Sequence, residues 1–196
     1  ESDGANPFVC NPEYTRIVTQ WTNLCIEKYT SSISGETTFI EVGVGEGLTC
    51  LGSHADSVAA VDIALPYLQR LPPPVHLVHA DAESLPFASA SFNVALYSDI
   101  FEHVIDLHKV ISEAKRILSP AGYLLVRVPH DEHMTSYRTY KDYAFTHLRS
   151  FCHDELELLL ERVYGFRVLE TSFGPSIPSR FSQGAIGRQL STPAFC

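Results

Sequence analysis

The stretch TFIEVGVGEGLTC, residues 38–50, decides how this chain is read. It begins with a short apolar run, which predicts a buried strand, and passes directly into Gly43, Gly45 and Gly47 at alternate positions. Glu41 stands two residues before the first glycine. Glycines just after a strand let the backbone approach a ligand with no Cβ in the way. A dinucleotide fingerprint, G-x-G-x-x-G, needs glycine at 48, but the chain has Leu48, so the spacing is wrong for a pyrophosphate. A carboxylate beside the loop suits a ligand that carries positive charge rather than phosphate.

Working outward from that loop, strand and helix signals alternate. GLTCLGSHA (47–55) reads as a helix leaving the glycines, and SVAAVDI (57–63) as a second strand ending in an acid. LPYLQRLPPP (65–74) predicts a short helix stopped by three prolines. VHLVHAD (75–81) is a third strand, again ending in an acid, and after a loop FNVALYS (92–98) is a fourth. In DLHKVISEAKRILSPAG (106–122), Leu107, Val110, Ile111, Ala114, Ile117 and Leu118 keep the spacing of one buried helical face, ended by Pro120 and Gly122. YLLVRVP (123–129) is a fifth strand, SFCHDELELLLERVYG (150–165) a helix, and FRVLETS (166–172) a sixth strand. Before all of these, residues 12–29 predict a helix with Asn11 as N-cap, Pro12 at its first position and Ile17, Trp21, Leu24 and Tyr29 towards one face.

Strands alternating with helices imply an α/β, doubly wound, mostly parallel Rossmann-like sheet covered on both faces. In such sheets ligands sit at the carboxyl ends of the strands, at the switch point in strand order. Asp62, about twenty residues after Glu41 and with Ile63 beside it, stands where an acid accepts from ribose hydroxyls. Asp81 stands where an acid meets an adenine amino group. Three acids at three successive strand ends make the glycine loop a specific signal.

With these residues in view, the chain resembles the class I S-adenosylmethionine-dependent methyltransferases, in the type 11-like group that acts on small molecules. FIEVGVGEG, AAVDIA, HADAESLPF, SFNVALYSDIFEHV and AKRILSPAGYLLVRVP carry the resemblance, with HLRSFCHDELELLLERVYGFRV as the late helix–strand unit. The resemblance implies S-adenosylmethionine as cofactor and methyl transfer to a sugar, lipid or secondary metabolite. It implies that Gly43, Gly45 and Gly47 line the methionine moiety, Glu41 holds its amino group, Asp62 binds ribose, and Asp81 with the Ala82 backbone binds adenine. Ser98 and Asp99 would floor the pocket beside the methyl. The family closes its sheet with an antiparallel last strand, yet residues 173–196, rich in Pro, Gly and Ser, show no clear seventh strand.

For acceptor chemistry the candidates are His103, His130, His133 and Asp99, groups able to take a proton from a hydroxyl. His103 reads equally as a buried structural histidine, and Asp99 equally as a turn cap. His130-Asp131-Glu132-His133 has metal-ligating residue types, but no further ligand has recognisable spacing, so no metal is expected. The long polar segment 130–149 follows the fifth strand and reads as a loop over the acceptor, with Tyr137, Tyr140 and Tyr143 towards substrate. Two other functions remain open: a non-catalytic binding or regulatory protein on the same fold, and a nicotinamide oxidoreductase, against which Leu48 counts.

The 196 residues fit a single domain, divided as a helical segment 1–36, a cofactor-binding core 37–172 and an irregular segment 173–196. A net charge of −9 opposes a phosphate-backbone partner, so no nucleic acid is expected. No apolar run reaches the roughly 18 residues of a membrane span. No signal peptide is visible, though the chain lacks an initiator Met and reads as part of something longer. Five scattered cysteines without a C-x-x-C spacing read as reduced thiols, hence an expected cytoplasmic location.

Overall fold

The computed structural model describes residues 12–31, 33–45, 55–132, 134, 147–174 and 192–195. The elements run α1 (Pro12–Thr30), β1 (Thr38–Val42), β2 (Ser57–Asp62), α2 (Leu65–Leu68), β3 (His76–His79), β4 (Phe92–Ser98), α3 (Leu107–Ile117), β5 (Leu118–Arg127), α4 (His153–Leu158), β6 (Thr171–Gly174) and β7 (Thr192–Phe195). The strands form one sheet in the order β3-β2-β1-β4-β5-β7-β6. The first five are mutually parallel, and β7 runs antiparallel to both β5 and β6. The doubly wound reading therefore holds.

Burial explains the two covered faces. Successive strand side chains point to opposite sides. Ile40 and Val42 of β1 join Val110, Ile111, Ala114 and Ile117 of α3 and Leu156 of α4 in one apolar cluster. Phe39 joins Ile26 of α1 and Leu68 of α2 in the other. α3 is fixed at its start by Asp106, whose side chain accepts from the Lys109 backbone N–H at 3.2 Å. Glu113 and Arg116 of the same helix then hold the loop after β3. Leu85 N–H donates to Glu113 at 2.7 Å, while the Arg116 guanidinium donates to the Phe87 and Leu85 carbonyls at 2.6 and 3.0 Å.

Several expectations are corrected. β7 exists and fills the sheet position for which residues 173–196 show no pattern; four residues containing Pro193 carry little intrinsic signal, and pairing with β5 and β6 defines the strand. β6 begins at Thr171 rather than at Phe166. α2 is a single turn, and α4 passes into a π-helical turn at Leu159–Val163. β5 starts at Leu118, directly where α3 ends, with a register shift against β4 between Phe92 and Val94. α1 buries Thr22 and Ile26, with Cys25 packed behind them, whereas Ile17 and Leu24 face outward at 36% and 57% exposure. The buried stripe thus lies around the helix from the apolar one. The reduced-thiol reading fails at Cys25, which is disulfide-bonded, its partner lying outside the described residues; Cys152 is a free thiol. Among the described residues no helix is long and apolar enough to cross a membrane.

Candidate active site

The sheet order reverses between β1 and β4, and the chain leaves both strands at their carboxyl ends there. Gly43 N–H donates to the Val61 carbonyl at 2.7 Å, which turns the chain sharply over the end of β2. Gly43 has φ of +77° and Gly45 φ of +50°, the left-handed region that glycine reaches without steric cost. A Cβ on Gly43 would lie 1.8 Å from Ile100 Cδ1 and 2.3 Å from Cγ1, so the loop after β4 packs directly on this turn. A Cβ on Gly45 would meet nothing within 4 Å. The space there is open, as a backbone lined against a ligand requires.

Asp62, the last residue of β2, is buried. One carboxylate oxygen accepts from Gly45 N–H at 2.9 Å and the other from Ala64 N–H at 2.7 Å. The acid braces the glycine turn, and each oxygen keeps a lone pair for a further donor. Ile63, next to it, is an apolar side chain left 68% exposed at the strand end. Glu41 is 1% exposed within an apolar strand, and charged residues are almost never buried so fully unless paired. Asp81 lies two residues past β3 and is exposed, its carboxylate accepting from Glu83 N–H at 2.9 Å. Ala82 packs against the core beside it.

On the other side of the crevice, Ser98 ends β4 and is buried, paired in register with Arg127 of β5. Asp99 follows with φ of +54°, its N–H donating to the Arg127 carbonyl at 2.8 Å, and its carboxylate forms an ion pair with the Arg127 guanidinium. Gly43, Gly45, Asp62, Ile63, Asp81, Ala82, Ser98 and Asp99 are thus all placed at one edge of the sheet. Gly47, His133, Tyr137, Tyr140 and Tyr143 lie outside the described residues. His130 bridges Phe151 in backbone pairing, and its ring meets Phe173 at 5.1 Å.

Three residues here have no counterpart in the sequence reading. Glu102 follows β4 by four residues, is 1% exposed, and neither of its carboxylate oxygens has a hydrogen-bond partner among the described residues. Leaving a buried acceptor unsatisfied costs about 1–3 kcal/mol, more when charged. Burial first, and then the nearby Asp99 charge, push this carboxyl well above the usual range. His147 packs its ring edge-on against His103, centroids 4.6 Å apart, and its Nδ1 pairs with Glu132. Arg149 donates to the carbonyls of Phe101 and Val104 at 2.6 Å each and of Ile105 at 3.1 Å, clamping the turn that carries Glu102 and His103. The acid–histidine pair in FEHV is the only signal the sequence offers for this arrangement.

The family model for a methyltransferase domain matches residues 40–126, from β1 into β5. A probable S-adenosylmethionine-dependent methyltransferase of Mycolicibacterium smegmatis is 30% identical over 137 residues, 67% of this chain and 52% of that protein. A second, from Mycobacterium tuberculosis, is 28% identical over 126 residues, 62% of this chain and 46% of that protein. The chain spans about half the length of these curated relatives. Among solved structures, Burkholderia thailandensis 1,6-didemethyltoxoflavin-N1-methyltransferase, with 1,6-didemethyltoxoflavin and S-adenosylhomocysteine bound, superposes with a TM-score of 0.63 at 19% identity, covering 100% of this chain and 91% of that one. At that identity the likeness speaks for the fold. Strand order, glycine turn and structural likeness together give the chain the fold of the class I S-adenosylmethionine-dependent methyltransferases. Within the class, its matched region belongs to the type 11 methyltransferase-domain family.

Proposed function

We propose that this chain transfers the methyl group of S-adenosylmethionine to a small-molecule acceptor, a sugar, lipid or secondary metabolite. The observation that carries the reading is the glycine turn itself: Gly45 faces open space while Asp62 grips its N–H, at the switch point of the sheet. The residues fit the cofactor. Glu41 and the turn would hold the amino-acid end, Asp62 the ribose, and Ile63 with Asp81 and Ala82 the adenine. When bound, the cofactor would supply an activated methyl on a sulfonium, taken in line by the acceptor's lone pair while the sulfur leaves as a neutral thioether.

The work of the protein is then to align the acceptor and exclude water. Ser98 and Asp99 form the floor beside the reacting end. The Asp99 carboxylate is engaged by Arg127, which counts against Asp99 as the group that takes an acceptor proton. Tyr137, Tyr140, Tyr143 and His133, on the segment after β5, would contact the acceptor. The acidic balance of the chain fits a small acceptor better than a nucleic acid.

Calorimetric titration with S-adenosylhomocysteine, alongside NAD as control, tests cofactor choice, and a panel of hydroxylated and amino acceptors with labelled S-adenosylmethionine tests transfer. Gly45→Val meets no described residue within 4 Å but puts a β-branched residue at φ of +50°, so circular dichroism first checks its folding; the folded variant should lose cofactor binding. Normal binding by that variant, or no binding by the parent chain, overturns the reading.

A further inference from the structure

We infer that Glu102, His103 and His147 form a binding site for a first-row divalent metal ion of the zinc type, with Glu132 orienting His147. Ligand atoms of the three residues lie within 4.8 Å of one another. Ligands around one such ion stand about 2.0–2.2 Å from it, and so roughly 3.3–3.6 Å apart in a tetrahedral set. Closing onto an ion needs only about 1 Å of movement at the side-chain ends.

Glu102 supplies the independent reason to expect a cation. Its carboxylate is buried in the turn after β4, neither oxygen makes a hydrogen bond among the described residues, and the Arg127 guanidinium whose charge reaches it is itself paired with Asp99. Buried polar atoms are satisfied in folded proteins unless something absent from the polypeptide partners them. The two histidines beside it bring ring nitrogens, not a countercharge. A divalent ion supplies both charge and coordination.

The histidine geometry also suits a metal. Glu132 pairs with His147 Nδ1, so the nitrogen turned to an ion is Nε2. A carboxylate behind a ligating imidazole fixes its tautomer and ring plane and raises its basicity. Glu132 is held in turn by its own N–H donating to Ser150 Oγ at 2.8 Å. The segment bearing His147 is joined to the turn bearing Glu102 by Leu148 N–H to the Glu102 carbonyl at 2.7 Å and by the three Arg149 contacts. The site is therefore braced before any ion arrives. Glu132 falls with His147 rather than with His130, which separates this cluster from the contiguous His130-Asp131-Glu132-His133 run.

Two imidazoles and one carboxylate suit zinc, iron, cobalt or manganese, and are a poor set for calcium or magnesium, which take oxygen ligands. Three protein ligands leave a fourth position open, the arrangement of zinc sites that bind water or substrate. The ion binding does not depend on the methyl-transfer reading.

The chain is stripped with chelator, dialysed, and titrated calorimetrically with Zn²⁺, with Mg²⁺ as control and no S-adenosylmethionine present. Co²⁺ then reports the ligand atoms by its visible spectrum. The expected result is one ion per chain, a Co²⁺ spectrum without thiolate charge transfer, and affinity lowered by about tenfold or more in Glu102→Gln, His147→Ala and Glu132→Gln. Circular dichroism and thermal unfolding check each variant; if Glu102→Gln fails to fold, the half-buried His147 and Glu132 variants decide. Absence of stoichiometric binding, thiolate ligation, or unchanged affinity in the folded variants overturns the site. Because cofactor binding is measured separately, its failure would leave this result standing.

Discussion

Replacing Asp62 by Ala probes the brace and the ligand site together. The wild-type carboxylate accepts two backbone N–H bonds, 2.9 Å from Gly45 and 2.7 Å from Ala64. Hydrogen bonds to a charged group contribute about 1.5–3 kcal/mol each. Gly45 and Ala64 are both partly exposed, so water recovers a share of that loss. We expect about 2–3 kcal/mol of stability to disappear, read as a lower urea midpoint at unchanged slope. The missing ribose contact and the loosened turn should weaken S-adenosylhomocysteine by a further tenfold to hundredfold, or about 1.4–2.7 kcal/mol. Asp62→Asn offers one carbonyl oxygen but sets its own amide N–H against the second backbone donor, so it should recover at most half of each loss. Two assays separate the roles: a stability drop with wild-type affinity would mean that Asp62 only braces the turn. Wild-type values in both assays would refute the reasoning entirely.

Gly43→Ala should destabilise the chain by about 2–4 kcal/mol, combining a left-handed backbone with a Cβ driven into Ile100. In a double-mutant cycle with Ile100→Ala, urea unfolding should show the two losses to be less than additive. Asp106→Ala should lower the melting temperature at neutral pH by uncapping α3. The Lys109 N–H bond holds the Asp106 carboxyl below its ordinary range, so its stabilisation is present above the unfolded pKa and is lost as pH falls through the folded one. The gap in melting temperature between wild type and variant should therefore narrow in acid, and a constant gap would contradict the assignment.

β1 and β4 are legible to the residue because each is a dense apolar run bounded by turn formers, and the body of α3 because its apolar positions keep strict helical spacing, although Leu118 opens β5 instead of extending the helix. β7 is not, since four residues become a strand only through partners on β5 and β6. The buried face of α1 is set by where the helix docks, and its exposed Ile17 and Leu24 carry the stronger apolar pattern. The cofactor side of the site is readable because glycines and acids at strand ends are local signals. Glu102 with His147, and Arg149 with Phe101, come from segments separated by more than forty residues, so spacing says nothing of them.

The place of β7 has a consequence for biosynthesis. It is the last strand in sequence, yet it lies between β5 and β6 rather than at the rim. A nascent chain that has extended through Gly174 holds two strands whose mutual partner has not been made. The outer edge of β5 is then a row of open backbone donors and acceptors, a template for pairing with another chain. The sheet closes only when Thr192–Phe195 inserts antiparallel into that gap. Closure of this side of the sheet thus waits until residues 192–195 have been made, and the interval before it is when the edge of β5 is most exposed to aggregation.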